Sequence, residues 1–211
     1  MQVQATEITT FVYGFSSPVW VRLRPAPTGV KAETYSATAI KLTWKAVPTA
    51  DMYEVQRATS KTGSYTTVKK VYSGTTFIDT SRTPGVTYYY KVQAMVKRPG
   101  YTTYHPSSLP SSPVLGIALG KTSISRVSAL GRDRVTLGWA AVSGATGYKL
   151  LRSRTAGGTY SLVKNVYGTS LTVTGLSPNT AYFFKVQPFK KVGTTSVLGP
   201  LSAYRSVRTL K

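Results

Sequence analysis

The chain repeats itself. Ile40-Lys41-Leu42-Thr43-Trp44 aligns with Val135-Thr136-Leu137-Gly138-Trp139, 95 residues further on. At the same offset Tyr53 meets Tyr148, Arg57 meets Arg152, Gly63 meets Gly158 and Tyr65 meets Tyr160. Val68 to Tyr72 meets Val163 to Tyr167. After a slip of one residue, Pro84 to Gln93 meets Pro178 to Gln187. An internal repeat of this length means that one compact unit is built twice, each copy with a core of its own. A partial third copy stands in front: Val3-Gln4-Ala5 matches Val92-Gln93-Ala94, and Ser16-Ser17-Pro18 matches Ser111-Ser112-Pro113. The organisation expected is therefore the last two strands of a preceding repeat over 1–24, one module over 25–119 and a second over 120–211.

Within each copy the apolar pattern has period two, the period of a strand with one buried face. Tyr88, Tyr90, Val92 and Ala94 fall on one side, and Tyr89, Lys91 and Gln93 on the other. The second copy places Tyr182, Phe184, Val186 and Pro188 inward, and Phe183, Lys185 and Gln187 outward. Short strands separated by Gly, Pro, Ser and Thr clusters predict an all-β sandwich in each copy. Gly63 and Gly157-Gly158 mark hairpins between middle strands. Arg24-Pro25-Ala26-Pro27 and Leu119-Gly120-Lys121 read as junctions too short for free linkers, so restricted angles between modules are expected.

These residues resemble the fibronectin type III domain over essentially all of 25–211. Trp44 and Trp139 look like the family's core tryptophan, and Leu176-x-Pro178-x-x-x-Tyr182 looks like its tyrosine-corner motif. Pro84 and Tyr88 keep that spacing in the first copy, with Ser81-Arg82 where the family has Leu before Pro. The run Tyr148 to Ser153, followed by Gly158-Thr159-Tyr160, is similar to members from Gram-positive surface proteins and phage virions. The resemblance implies tandem seven-stranded sandwiches, immunoglobulin-like in architecture, and no single function. Trp44, Tyr88, Trp139 and Tyr182 are expected in the core, the tyrosines with their hydroxyls bonded to nearby backbone.

Chemistry is scarce. With no Cys, thiol nucleophiles, disulfides and cysteine zinc sites are excluded. The lone His105 is predicted in a loop, with no acidic residue near it in sequence. Only six carboxylates occur, and of these only Asp51 and Glu54 are close neighbours. Neither a metal site nor a glycosidase pair is expected from them. No phosphate-binding glycine loop is present and no cofactor is implied. No apolar run is long enough to span a membrane, and Met1-Gln2-Val3-Gln4 has no secretion-signal pattern. An enzyme is not expected.

Charge is the remaining signal: 27 Lys and Arg against 6 Asp and Glu, a net +21. Such a field attracts polyanions. Lys97-Arg98 and Lys190-Lys191 are placed in the loop between the last two strands of each module, and Lys69-Lys70 and Lys164 on a middle strand. Lys91 and Lys185 face outward beside Tyr89 and Phe183. A basic aromatic sheet face of this kind suits an anionic cell-wall polymer or glycan, with nucleic acid a weaker fit. The alternative for each lysine is a solvated surface that discourages edge pairing. In 1–24, Val19, Trp20, Val21 and Leu23 make a strand apolar on both faces, which marks it as an assembly element if another chain supplies its cover. Two functions follow as expectations. One is a non-catalytic binding or spacer array on a cell surface or in a secreted protein, its partners the other domains of the array or other protein chains. The other is a phage tail or head-decoration component that assembles through the N-terminal strands.

Overall fold

The computed structural model describes residues 24–211. The expected N-terminal hairpin, with Val19, Trp20, Val21 and Leu23, lies outside the described residues. From Lys31 on, sixteen strands and no helix follow among the described residues. The first repeat gives β1 (Lys31–Ser36), β2 (Ala39–Thr43), β3 (Met52–Ala58), β4 (Thr66–Val71), β5 (Thr76–Asp79), β6 (Thr87–Lys97), β7 (Tyr104–Pro106) and β8 (Val114–Ile117). The second gives β9 (Ile124–Ala129), β10 (Val135–Trp139), β11 (Gly147–Ser153), β12 (Ser161–Val166), β13 (Ser170–Val173), β14 (Ala181–Val192), β15 (Thr195–Leu198) and β16 (Arg205–Arg208). Each repeat thus has the seven strands expected, with the last broken into two segments.

Both repeats form the same pair of sheets. One has the order β1-β2-β5, or β13-β10-β9 in the second repeat. The other has the order β4-β3-β6-β7 with β8 also on β6, or β12-β11-β14-β15 with β16 also on β14. The break in the last strand has a local cause. Ser111 and Ser202 are buried, and their hydroxyls accept the Val92 and Val186 N–H groups at 3.0 and 2.9 Å. Their own N–H groups donate to the Val92 and Val186 carbonyls at 2.8 and 2.9 Å. A serine therefore closes the ladder where the strand kinks, and no buried backbone group of the long strand is orphaned there.

By contacts the chain divides into two compact units. Among the described residues, one comprises 24–32 with Leu42–Phe77 and Tyr88–Leu115; the other comprises Glu33–Lys41, Ile78–Thr87 and Gly116–Lys211. In the second unit the core lies between the two sheets: Trp139, Tyr148, Leu150, Tyr182, Phe184 and Val186 are buried together with Val135, Leu137 and Leu176. The Ser177 N–H donates to the Tyr182 hydroxyl at 2.8 Å, and the Val142 N–H to the Tyr148 hydroxyl at 2.8 Å. In the first unit the Val47 N–H donates to Tyr53 at 2.7 Å in the same way. Trp44 and Tyr88 are buried as well. Each tryptophan stands edge-on to a tyrosine, Trp44 to Tyr53 at 5.4 Å and Trp139 to Tyr148 at 5.7 Å. Neither indole N–H has a hydrogen-bond acceptor.

Two glycines meet within the second unit. A Cβ placed on Gly85 would stand 2.3 Å from the Gly144 Cα, and one on Gly144 would stand 2.3 Å from the Gly85 Cα. The Gly85 N–H donates to the Ala118 carbonyl at 2.9 Å. Both glycines have positive φ, 74° and 78°. The repeat separates two explanations for them. At the equivalent positions Asn179 has φ 46° and Thr49 has φ 64°, so residues with side chains hold this backbone shape elsewhere in the chain. Close approach, more than φ, requires glycine at 85 and 144.

Two predictions follow from this packing. Gly85→Ala should destabilise more than Gly74→Ala. Gly74 has φ 80° with nothing near its Cβ direction, so Ala there costs only the left-handed backbone, about 1–2 kcal/mol. Thermal denaturation of both variants compares them, and equal losses would mean that the glycine contact is not tight in solution. Tyr182→Phe should in turn cost more than Phe183→Ala, because it strips the Ser177 N–H of its acceptor, at about 1–3 kcal/mol. A larger loss for Phe183→Ala in denaturant melts would reverse the assignment of the two faces.

Candidate functional site

The long strand of each repeat buries every second residue, so its other residues form the outer face of the larger sheet. In the first repeat Tyr89, Lys91 and Gln93 lie on this face of β6. The Lys91 ammonium sits 4.2 Å from the centroid of the Tyr65 ring, which arrives from the turn before β4. In the second repeat the Lys185 ammonium sits 4.3 Å from the Tyr160 ring. Phe183 stands edge-to-face with Tyr204 at 5.5 Å. All of these side chains except the exposed Tyr204 are half-buried. A cation held over a ring face is attracted by the ring quadrupole.

Burial pushes the hydroxyl pKa of Tyr65 above the ordinary tyrosine value, with Tyr89 adding to the rise. Burial and Tyr204 do the same for Tyr160. The rings therefore remain neutral, and the charge of the face comes from its lysines.

Several positions differ from the sequence expectation. Lys190 and Lys191 are not in a loop. They belong to β14, opposite Val197 and Ser196 of β15. A two-residue turn, Gly193-Thr194, with Gly193 at φ 57°, lets the hairpin zip up past them. Lys97 ends β6 opposite Tyr104, and only Arg98 of that pair is in the connection. Lys97 lies six residues beyond Lys91, roughly 20 Å along the strand. These four cations therefore lie at the far end from the lysine–tyrosine pairs. Lys69, Lys70 and Lys164 are on edge strands β4 and β12, since each sheet order begins there. His105 is on β7 opposite Val96, its Nε2 3.3 Å from the Thr103 hydroxyl and its ring 5.2 Å from that of Tyr101. Asp51 and Glu54 do not converge. The Asp51 carboxylate accepts the Lys97 N–H at 2.7 Å, a role that the Thr146 hydroxyl fills for Lys191 at 2.8 Å. Among the described residues no group of three His, Asp or Glu side chains comes together.

Tyr65, Tyr160 and Tyr204 are the site residues that sequence reasoning missed. Tyr65 and Tyr160 were visible as identities in the repeat, but they lie before the edge strands, outside the period-two pattern. Tyr204 has no aromatic counterpart. Aligned through Ser111 and Ser202, its position in the first repeat holds Pro113.

The strand order now decides the fold. The fourth strand of each repeat pairs with the third and so joins the larger sheet, leaving three strands in the other, and Tyr182 makes its corner bond at the start of the long strand. Both repeats have the fibronectin type III fold. No family model matches the chain. It is similar to a kelch domain-containing protein of Saccharolobus solfataricus, at 30% identity over 82% of this chain and 23% of that protein. It is also similar to exoglucanase B of Cellulomonas fimi, at 30% identity over 81% of this chain and 15% of that protein. The chain thus spans less than a quarter of the length of these relatives. Among solved structures, a segment of two fibronectin type III domains from chicken tenascin matches 87% of this chain and 99% of its own, with 18% identity and a TM-score of 0.44.

The tyrosines of the fibronectin type III faces yield an alkaline signature. A raised pKa means that the folded state holds protons which the unfolded chain has lost, so stability falls as pH rises through and above about 10. Replacing both Tyr65 and Tyr160 by Phe should make that fall shallower in denaturant melts. An unchanged alkaline slope would show that the two hydroxyls titrate normally.

Proposed function

We propose that this chain is a non-catalytic segment of a secreted or cell-surface array, and that the outer faces of its larger sheets bind anionic glycans or cell-wall polymers. One observation carries the reading. The same lysine-over-tyrosine pair is built twice, at 4.2 and 4.3 Å, while outward neighbours such as Glu54 and Lys70 are exchanged between the copies. A sandwich needs neither pair for its core. A lysine held over a tyrosine on the outer sheet face fits a ligand that offers both a stacking surface and a negative charge, and a sugar acid offers both. The net +21 supports it through long-range attraction. The relatives support the array setting, since in each of them the similar stretch is a small part of a much longer protein. One of these is an exoglucanase, of which the similar stretch is 15%. Of the five described carboxylates, Asp51, Asp79 and Asp133 are engaged with backbone or arginine and Glu54 with Lys70.

The test is binding of polygalacturonate to the full chain by titration calorimetry at low and high salt. Lys91→Gln with Lys185→Gln should weaken binding about tenfold, about 1.4 kcal/mol. Lys69→Gln with Lys164→Gln, on the edge strands, should change it less than about twofold, as solvated surface charges do. Added salt should weaken the wild type. Absence of binding, or equal effects of the two double variants, would defeat the proposal.

A further inference from the structure

The two faces are copies, but their charges are not. On the first, Glu54 of β3 lies opposite Gln93 of β6 and Lys70 of β4. Its carboxylate is 3.7 Å from the Lys70 ammonium and accepts the Thr67 hydroxyl at 3.3 Å. On the second, the position of Glu54 is taken by Lys149, opposite Gln187 and Asn165. The pair Glu54 and Lys70, which cancels, has become Lys149 and Asn165, which carries a positive charge. Lys149 is outward because its neighbours Tyr148 and Leu150 are buried. It is diagonal to Lys185 across the β11–β14 pairing, about 7–8 Å between Cα atoms. The rings differ too. Tyr204 stands beside Phe183, where the first repeat has Pro113.

We infer that the face of the second repeat is the site for anionic sugar polymers, and that residue 149 sets its charge selectivity, with Glu54 making the first face a weak copy. This rests on the function proposed above and assigns it to one repeat. The second face offers two ammonium groups a diagonal apart, three rings (Tyr160, Phe183 and Tyr204), and the amides of Gln187 and Asn165. It has no carboxylate. The first face sets a carboxylate between its lysines, where an incoming anion would be repelled. Replacing Glu54 removes the ion pair to Lys70 and the Thr67 hydrogen bond, both on the outer face of the sheet and neither part of the buried core. The fold should therefore tolerate the exchange.

The experiment uses the full chain and a hexamer of galacturonic acid, short enough to report single sites, in titration calorimetry. Wild type should bind with a stoichiometry of about one. Lys149→Glu should weaken binding about tenfold or more, and Lys149→Arg should keep it. Lys185→Gln should cost much more than Lys91→Gln. Glu54→Lys should add a second site, raising the stoichiometry towards two. Cellohexaose, the neutral probe, should bind more weakly and be indifferent to residue 149. Equal losses for Lys91→Gln and Lys185→Gln, or full binding by Lys149→Glu with an intact thermal transition, would overturn the assignment while leaving a glycan-binding array in place. No binding of the hexamer and of polygalacturonate by wild type would remove the functional reading itself. Tighter binding of an oligothymidylate than of the hexamer would overturn the proposal in favour of single-stranded nucleic acid.

Discussion

A β-strand has two sides, and in this chain one strand per repeat must serve a core and a surface at once. β6 and β14 run through the middle of their sheets, so every inward residue is buried and every outward residue is held at a fixed height and spacing. The inward set fixes the register. A slip by one residue would send Tyr90, Val92 and Ala94 into water and bring Lys91 inside. The position of the candidate site is therefore a by-product of core packing. Lys91 and Lys185 stand where they do because Tyr90 and Phe184 are fully buried beside them. The tyrosine corner and the buried serines anchor the same strands, at the start through Tyr182 and midway through Ser111 and Ser202.

That dependence explains what could be read in advance. The alternation of Tyr88 to Ala94, repeated from Tyr182 to Pro188, contains both the sandwich and the outward lysines, because side-chain direction in a strand is local information. The rings over those lysines are not local. Tyr65 reaches Lys91 across the intervening strand β3, and Tyr160 reaches Lys185 across β11. Strand β4 joins β3 with a register shift between Val55 and Gln56, and β12 joins β11 with one between Leu150 and Leu151. A bulge of that kind re-aims the chain that follows it and has no residue signature of its own. Placing Lys190 and Lys191 in a loop failed for a different reason. A basic pair near a Gly looks like a turn, but the Gly193-Thr194 turn is tight enough to leave both lysines on the strand.

Repeats also act as an internal control on single residues. The reason for a glycine is usually ambiguous between backbone shape and space. Here Asn179 and Thr49 hold the backbone shape of Gly85 and Gly144 with side chains attached, so space is the deciding requirement. Asp51 yields to the same comparison. Its place in the second repeat is taken by Thr146, which accepts the equivalent N–H. A carboxylate that a hydroxyl can replace is serving as a hydrogen-bond acceptor, and its charge is incidental to that role.

The same control bears on the charge of +21, which taken whole cannot be assigned to a function. Divergence between copies divides it. Lys91 and Lys185 keep both their identity and their tyrosine partners, while Lys70 becomes Asn165 and Glu54 becomes Lys149. A purely solubilising charge needs no ring at 4.2 Å and no partner held in the same geometry twice. Solubility depends on net charge and is indifferent to position. A ligand responds to the spacing of charges on one face and is repelled by a single misplaced carboxylate. The exchange of Glu for Lys at one outward position changes the net charge of the protein little and the local field of one sheet face greatly, so position and not total is what a charged partner would read.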